Sequence, residues 1–221
     1  MNSHESRALH MLGEGLSALG ITPSDERMHQ FSTYLRELKK WNRAFNLTGI
    51  RDDKDIIVKH FLDSLLYLSP MPNGFIRVAD VGSGAGFPGI PIKIIRPEID
   101  MHLIEPSGKK ASFLRYIVQR MQMQGIGVIE KRIEDTSVSG DFGEAVDIAL
   151  TRALFDIRAF VEKAAHIVRP GGLFILNKGP KVREELNESE GLRCELLRYP
   201  LPLTDIVRFI VIVKAKDAVQ G

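Results

Sequence analysis

Cysteine is almost absent from this sequence. Cys194 is the only one in 221 residues, which excludes an intrachain disulfide framework and a cysteine-based zinc site. The six histidines (His4, His10, His29, His60, His102 and His166) are scattered without a His-x-x-x-His pair, so no metal is expected. No apolar run approaches the length that spans a bilayer, and no membrane contact is expected. The first residues, MNSHESRALHMLGEGL, lack a basic stretch leading into an apolar core. No signal peptide is read there, and the expected location is cytoplasmic. Net charge is missing too: the balance is only +2, so any nucleic-acid contact must rest on local patches. There is no internal repeat, and nothing demands more than a monomer.

What is present is an ordinary globular composition, 44% hydrophobic and 26% charged, enough for one substantial core with a small appendage. Residues 1–70 read as a helical N-terminal extension. One helix is expected over 5–19. A second, SDERMHQFSTYLRELKKW (24–41), has Ser24 as cap and Met28, Phe31, Leu35, Leu38 and Trp41 at helical spacing. A third covers about 53–68. NRAFNLTGIRD, before it, reads as a break. SPMPNG (69–74) is a turn, and residues 71–221 form a second unit. There, strand-like runs at 75–81, 101–105, 127–132, 145–151 and 172–178 alternate with helical stretches at 88–96, 108–123 and 154–168. That alternation implies crossovers and a mostly parallel sheet covered on both faces. The last two runs, 192–202 and 205–216, are too close for a crossover, so they are expected to be antiparallel.

The chemistry concentrates in VADVGSGAGFPGIP (78–91), with four glycines and two prolines behind an apolar strand. It can be read in two frames. From Gly84, G-A-G-F-P-G fits the dinucleotide pattern G-x-G-x-x-G. From Asp80, D-V-G-S-G-A-G sets an acid before three alternating glycines, Gly82, Gly84 and Gly86. A dinucleotide brings a pyrophosphate to the loop and helix N-terminus, where a carboxylate is unwelcome. S-adenosylmethionine has no phosphate and carries an ammonium and a sulfonium, so Asp80 favours it. Glu105, at the end of the next strand, suits ribose hydroxyls in either cofactor. Pro88 stands where a helix can begin without needing a donor.

Over nearly its whole length the chain resembles the ribosomal RNA small-subunit methyltransferase G family, also called glucose-inhibited division protein B. The matching pieces are KKWNRAFNLTGIRD (39–52), VKHFLDSLL (58–66), VADVGSGAGFPGIPIKI (78–94), GKKASFLR (108–115), TRAL (151–154) and PGGLFILNKG (170–179). The resemblance implies an α/β class I methyltransferase (Rossmann-like) fold, with a mostly parallel seven-stranded sheet ending in an antiparallel hairpin. It implies methyl transfer to N7 of guanine 527, in the 530 loop of 16S ribosomal RNA in the small ribosomal subunit. Carried over by position, the cofactor contacts are Gly82 and Phe87 in the loop, Ile133 and Glu134 after the third strand, and Arg152 after the fourth. The family more often has Thr at Ser83, Ser at Thr151 and Asp at Glu105; none of these departures removes the chemistry.

Guanine N7 has an in-plane lone pair and no proton, so no base is needed before attack, and catalysis would come from alignment. Asn46 and Thr48 in the NLTGI loop, with His60 and Asp63 in KHFLDS, are candidates to shape the guanine pocket; no residue is named as catalytic. Arg152 can hold cofactor or RNA phosphate, or serve as an ion-pair partner. Two basic patches could meet RNA phosphates. Residues 36–51 hold Arg36, Lys39, Lys40, Arg43 and Arg51 against Glu37, and 107–132 hold Lys109, Lys110, Arg115, Arg120, Lys131 and Arg132 against Glu130. Trp41 and Phe45 flank the first patch; core packing is expected for both, with base stacking as the alternative. The competing readings are an NAD-dependent oxidoreductase, an RNA-binding protein without activity, and a small-molecule methyltransferase whose extension is a lid.

Overall fold

The structure, a computed structural model, describes residues 3–216 other than Ala153, Lys181 and Glu190, with the backbone alone at 3–5. The TRAL motif therefore lies partly outside the described residues. The chain opens with α1 (Ser3–Ala18) and α2 (Asp25–Phe45). Ser24 caps α2 by accepting the Arg27 amide, and Asp25 and Glu26 complement the helix dipole in the first turn. The helix runs four residues beyond the expected end at Trp41. Asn42 is buried there and Phe45 packs on Trp41, so the polar-looking NRAF still has an inward face. Asn46 stops the helix in the left-handed region at φ 48°.

The third helical stretch is continuous but not uniform. It comprises α3 (Asp53–Ile56), wide π-type turns over Ile57–Leu62, α4 (Asp63–Leu65) and a 3₁₀ turn at Leu66–Leu68. Asp52 starts it by accepting the amides of Lys54 and Asp55. The π turns carry His60, and such turns gather at functional positions.

Seven strands follow: β1 (Arg77–Val81), β2 (Asp100–Ile104), β3 (Ile126–Ile129), β4 (Val146–Arg152), β5 (Val168–Lys178), β6 (Cys194–Pro200) and β7 (Val207–Lys214). Their order is β3-β2-β1-β4-β5-β7-β6, parallel from β3 to β5, with β7 antiparallel to both β5 and β6. The expected parallel sheet finished by an antiparallel hairpin is what the chain builds. Strand order reverses between β1 and β4, which opens a crevice at the carboxyl ends of the strands.

Alternate residues of the strands feed two cores. Val78, Leu103, Ile148, Leu150 and Ile175 face the core shared with α1, α2, the 53–68 stretch, α5 (Gly89–Ile95) and α6 (Gly108–Arg120). Ala79, Val81, Ile104, Ala149, Phe174 and Leu176 face the core under α7 (Ile157–Ala164). The first core includes Phe31, Tyr34, Phe61 and Tyr67 from the N-terminal helices, all fully buried. Burying each such side chain stabilises by about 1.5–3 kcal/mol, so the helical segment is packed on the sheet rather than tethered to it.

Other elements differ from expectation too: β3 stops at Ile129, short of the expected 132. α7 starts at Ile157, because Asp156 caps it through the Ala159 amide. α8 (Val182–Glu188) was not expected; only Val182 of its residues is buried, so it has no apolar stripe to read. β5 begins at Val168, where a register shift absorbs the glycine pair Gly171–Gly172. Among the described residues no helix is long and apolar enough to cross a membrane, and no cluster of potential ligands could hold a metal.

Candidate active site

The glycine loop leaves β1 at the crevice with Gly82, Gly84 and Gly86 all at positive φ (75°, 60° and 103°), where a side chain on an L-residue is strained. The loop is tied inward. The amides of Gly82 and Ser83 reach the Ile104 carbonyl at the end of β2, those of Gly86 and Phe87 reach the Ser83 carbonyl, and that of Gly84 reaches Glu105 Oε2 at 2.8 Å. Beyond Pro88, which has no amide hydrogen, comes the start of α5. There the Gly89 amide gives its hydrogen to Asp80 Oδ2 at 2.8 Å.

This wiring decides between the two frames. A pyrophosphate needs outward amides and a bare helix N-terminus. Here five loop amides are spent on the protein, and a carboxylate already sits at the helix start. Gly89, the last glycine of G-A-G-F-P-G, serves packing: a Cβ on it would lie 2.4 Å from Leu103 and 2.8 Å from Asp80 Oδ2. The crevice suits a nucleoside cofactor without phosphate.

Asp80 is fully buried and underlies the loop rather than facing open space. Burial pushes its carboxyl up to about 7, against the Gly89 hydrogen bond and the Arg152 charge, which pull it down. Its Oδ1 has no hydrogen-bond partner among the described residues. Ionised Asp80 therefore needs positive charge nearby, and a cationic ligand end over the loop would supply it. Glu105 ends β2, buried, with Oε1 on the Ser107 amide at 2.9 Å and Oε2 on Gly84. Each oxygen keeps a second lone pair, as ribose hydroxyls require.

Across the crevice Arg152 ends β4. One of its nitrogens donates to the Lys59 carbonyl at 3.1 Å, another to His60 Nδ1 at 3.0 Å, and the guanidinium lies over the Phe87 ring, 5.3 Å from its centre. Arginine only donates, so Nδ1 must accept and the ring proton sits on Nε2. Nε2 then donates to Thr48 Oγ1 at 2.9 Å. Burial, then the Arg152 charge, lowers the His60 pKa to about 3, so the imidazole is neutral. Its ring stacks on Phe87 with centroids 4.3 Å apart.

A family model described as rRNA small subunit methyltransferase G matches residues 27–197. Ribosomal RNA small subunit methyltransferase G of Caldanaerobacter subterraneus subsp. tengcongensis is 38% identical, covering 98% of this chain and 94% of that protein. Its counterpart in Acetivibrio thermocellus is 34% identical, covering 97% and 91%. The chain belongs to the rRNA small subunit methyltransferase G family. The fold agrees: a methyltransferase from Pyrococcus furiosus superposes with a TM-score of 0.59 at 12% identity, covering 85% of this chain and 98% of that one. M. jannaschii TYW2, solved in complex with AdoMet, does so at 0.52 and 14%, covering 71% and 76%.

For this member of the methyltransferase G family, the remaining candidates fall into separate places. Phe87 is buried with its ring among Tyr34, His60 and Phe61, so it meets the N-terminal helices. Ile133 is buried after β3, while exposed Glu134 beside it pairs with Lys163 of α7. Asp63 is buried and consumed: Oδ1 accepts from Arg208 at 2.8 Å and Asn177 at 3.2 Å, with Arg152 3.9 Å from Oδ2. Asn46 is exposed and accepts from Arg51 at 3.4 Å.

Lys39, Arg43 and Arg51 line one concavity of about 290 Å³ with Asn42; Lys40 is exposed alongside, and Lys39 also pairs with Asp53. Exposed Lys109 and half-buried Lys110 start α6, and Arg115 further along it pairs with Glu130 at 2.7 Å. Trp41 packs on Phe113 and Tyr116 as expected, but Phe45 is 43% exposed: it sits at the outer end of α2, beyond the reach of the core. Two residues that touch the crevice, Tyr34 at the glycine loop and Tyr67 at the ends of β4 and β5, carried no sequence signal beyond being aromatic within helical stretches.

Proposed function

We propose that the chain methylates N7 of guanine 527 in the 530 loop of 16S ribosomal RNA, with S-adenosylmethionine as the methyl donor. What carries this reading is the wiring of the glycine loop, whose spent amides and carboxylate-capped helix suit a phosphate-free cationic nucleoside, set inside a chain of the methyltransferase G family. Glu105 would hold the ribose, Gly82, Gly84 and Gly86 the methionine end, Asp80 its charge from beneath, and Ile133 and Glu134 the adenine edge. S-adenosylmethionine supplies an electrophilic methyl group.

The protein's share is alignment and electrostatics. Guanine N7 needs no deprotonation, so a neutral His60 is no handicap. Thr48 Oγ1 accepts from His60 and, at 3.2 Å, from the Ile50 amide, which leaves its own hydrogen to donate. A guanine edge presents O6 and N7 as adjacent acceptors, so this held hydroxyl would orient the base through O6. Residues 1–70 would form the RNA side, where Lys39, Lys40, Arg43 and Arg51 would meet phosphates together with Lys109, Lys110 and Arg115 of α6. The test is methyl transfer from tritiated S-adenosylmethionine to small subunits from cells lacking the protein, with the product nucleoside identified by mass. Label in 7-methylguanosine, greatly reduced with Glu105→Ala, supports the reading; no label on RNA overturns it.

A further inference from the structure

Two tyrosines of the N-terminal helical segment reach across the core, one ending on the glycine loop and the other on the carboxyl ends of β4 and β5. Tyr34, from α2, donates its hydroxyl to the Ala85 carbonyl at 2.6 Å, in the middle of the glycine loop. A Cβ at Gly86 would lie 2.7 Å from that hydroxyl, so the tyrosine also fills the space that a glycine leaves there. Tyr67 donates to the Thr151 carbonyl at 2.5 Å and accepts the Asn177 amide at 3.1 Å, bridging the last residues of β4 and β5. Thr151 in turn donates its hydroxyl to the Val81 carbonyl at 2.9 Å, immediately before Gly82.

We infer that Tyr34 and Tyr67 are positioning residues for the cofactor, through which the RNA-side helices set the glycine loop and the strand ends beside it. Both side chains are fully buried, and burial raises both phenols well above their usual range, so each stays a protonated donor. Neither hydroxyl holds two helices together. Each spends its hydrogen bond on a backbone carbonyl of the crevice, where an unmade bond frees the glycine loop or the end of β4 rather than merely loosening the core. The ring stacking of Tyr34 on Phe61 and its contact with Phe87 survive in phenylalanine.

The inference rests on the methyltransferase reading, and the experiment separates the two. S-adenosylmethionine affinity is measured by calorimetry for the wild type, Tyr34→Phe, Tyr67→Phe and Tyr199→Phe. The last removes a hydroxyl that meets, among the described residues, Ser69 at the protein surface. Each crevice tyrosine variant is expected to weaken cofactor binding about fivefold to tenfold, to raise the KM for S-adenosylmethionine, and to leave the KM for RNA unchanged, while Tyr199→Phe binds like the wild type. A merely structural role would lower the melting temperature and leave cofactor affinity within twofold of wild type; that result for folded variants overturns the inference. Should one variant fail to fold, the other carries the same comparison. A wild type that binds no S-adenosylmethionine overturns the functional reading, and this inference with it.

Discussion

Asp80 Oδ2 accepts the Gly89 amide at 2.8 Å, so the acid of the first strand caps the helix that follows the glycine loop. Burial raises this carboxyl from 3.8 to about 7. A raised acid favours its protonated form in the folded state. Its contribution to stability is therefore present below about pH 4 and lost as pH climbs through about 7. A cationic cofactor favours the ionised form, so S-adenosylmethionine binding should release a proton and tighten as pH rises from 6 to 8. Calorimetry in buffers of different ionisation enthalpy reads the proton count. In Asp80→Asn both the proton release and this pH dependence should vanish; binding that is flat with pH in the wild type would sink the assignment.

His60 shows the opposite sign. Its pKa is held down from 6.5 to about 3 by burial and by Arg152. Stability from the neutral ring is complete above about pH 6.5 and declines as pH falls towards 3. The activity profile between pH 5 and 8 should carry no step from this histidine. Carbon-13 and nitrogen-15 spectra should show one neutral tautomer, protonated at Nε2. His60→Ala leaves the Arg152 nitrogen that donated to Nδ1 without its acceptor, while Thr48 keeps the Ile50 amide, a loss of about 1–3 kcal/mol, read by urea denaturation. An imidazolium signal at pH 6 would refute the arrangement.

The strand-and-helix alternation, the closing hairpin and the frame of the glycine loop could be read from sequence because each rests on local pattern. The contacts that complete the crevice could not. Tyr34 meets Ala85 across 51 positions and Tyr67 meets Thr151 across 84, and no periodicity marks a pair so far apart. Arg152 and Asp63 were visible as charges, but their mutual ion pair depends on how the N-terminal helices land on the sheet. Phe45 misled for a related reason: helical spacing puts it near Trp41, while the end of the helix decides its exposure.

The glycines of the loop should differ in what they tolerate. A Cβ on Gly86 would lie 2.4 Å from buried Ile90 and 2.7 Å from the Tyr34 hydroxyl, at φ 103°. Neither neighbour has room to give, so Gly86→Ala should cost about 3 kcal/mol or more from strain and overpacking. At Gly84 nothing but the Gly82 carbonyl, at 3.9 Å, approaches. Gly84→Ala should cost only the left-handed backbone, about 1–2 kcal/mol. Urea midpoints of the two variants give the order; equal losses would contradict this packing.

The cations of the first patch should also separate by how they are held. Lys39 pairs with Asp53, whereas Lys40 and Arg43 are exposed and have no ion-pair partner among the described residues. A free cation that neutralises a phosphate releases a counterion, so its removal should lower the slope of log affinity against log salt by about 1. Arg43→Ala and Lys40→Ala should each do this on 16S RNA fragments or small subunits. Lys39→Ala should do less, because its ammonium is already partly neutralised by Asp53 before RNA arrives. Arg115, paired with Glu130, makes the matching case on α6: Glu130→Gln should strengthen RNA binding at low salt if this face docks. Titrations at several salt concentrations give all five slopes. If Arg43→Ala and Lys40→Ala keep the wild-type slope, the N-terminal patch does not touch the phosphate backbone.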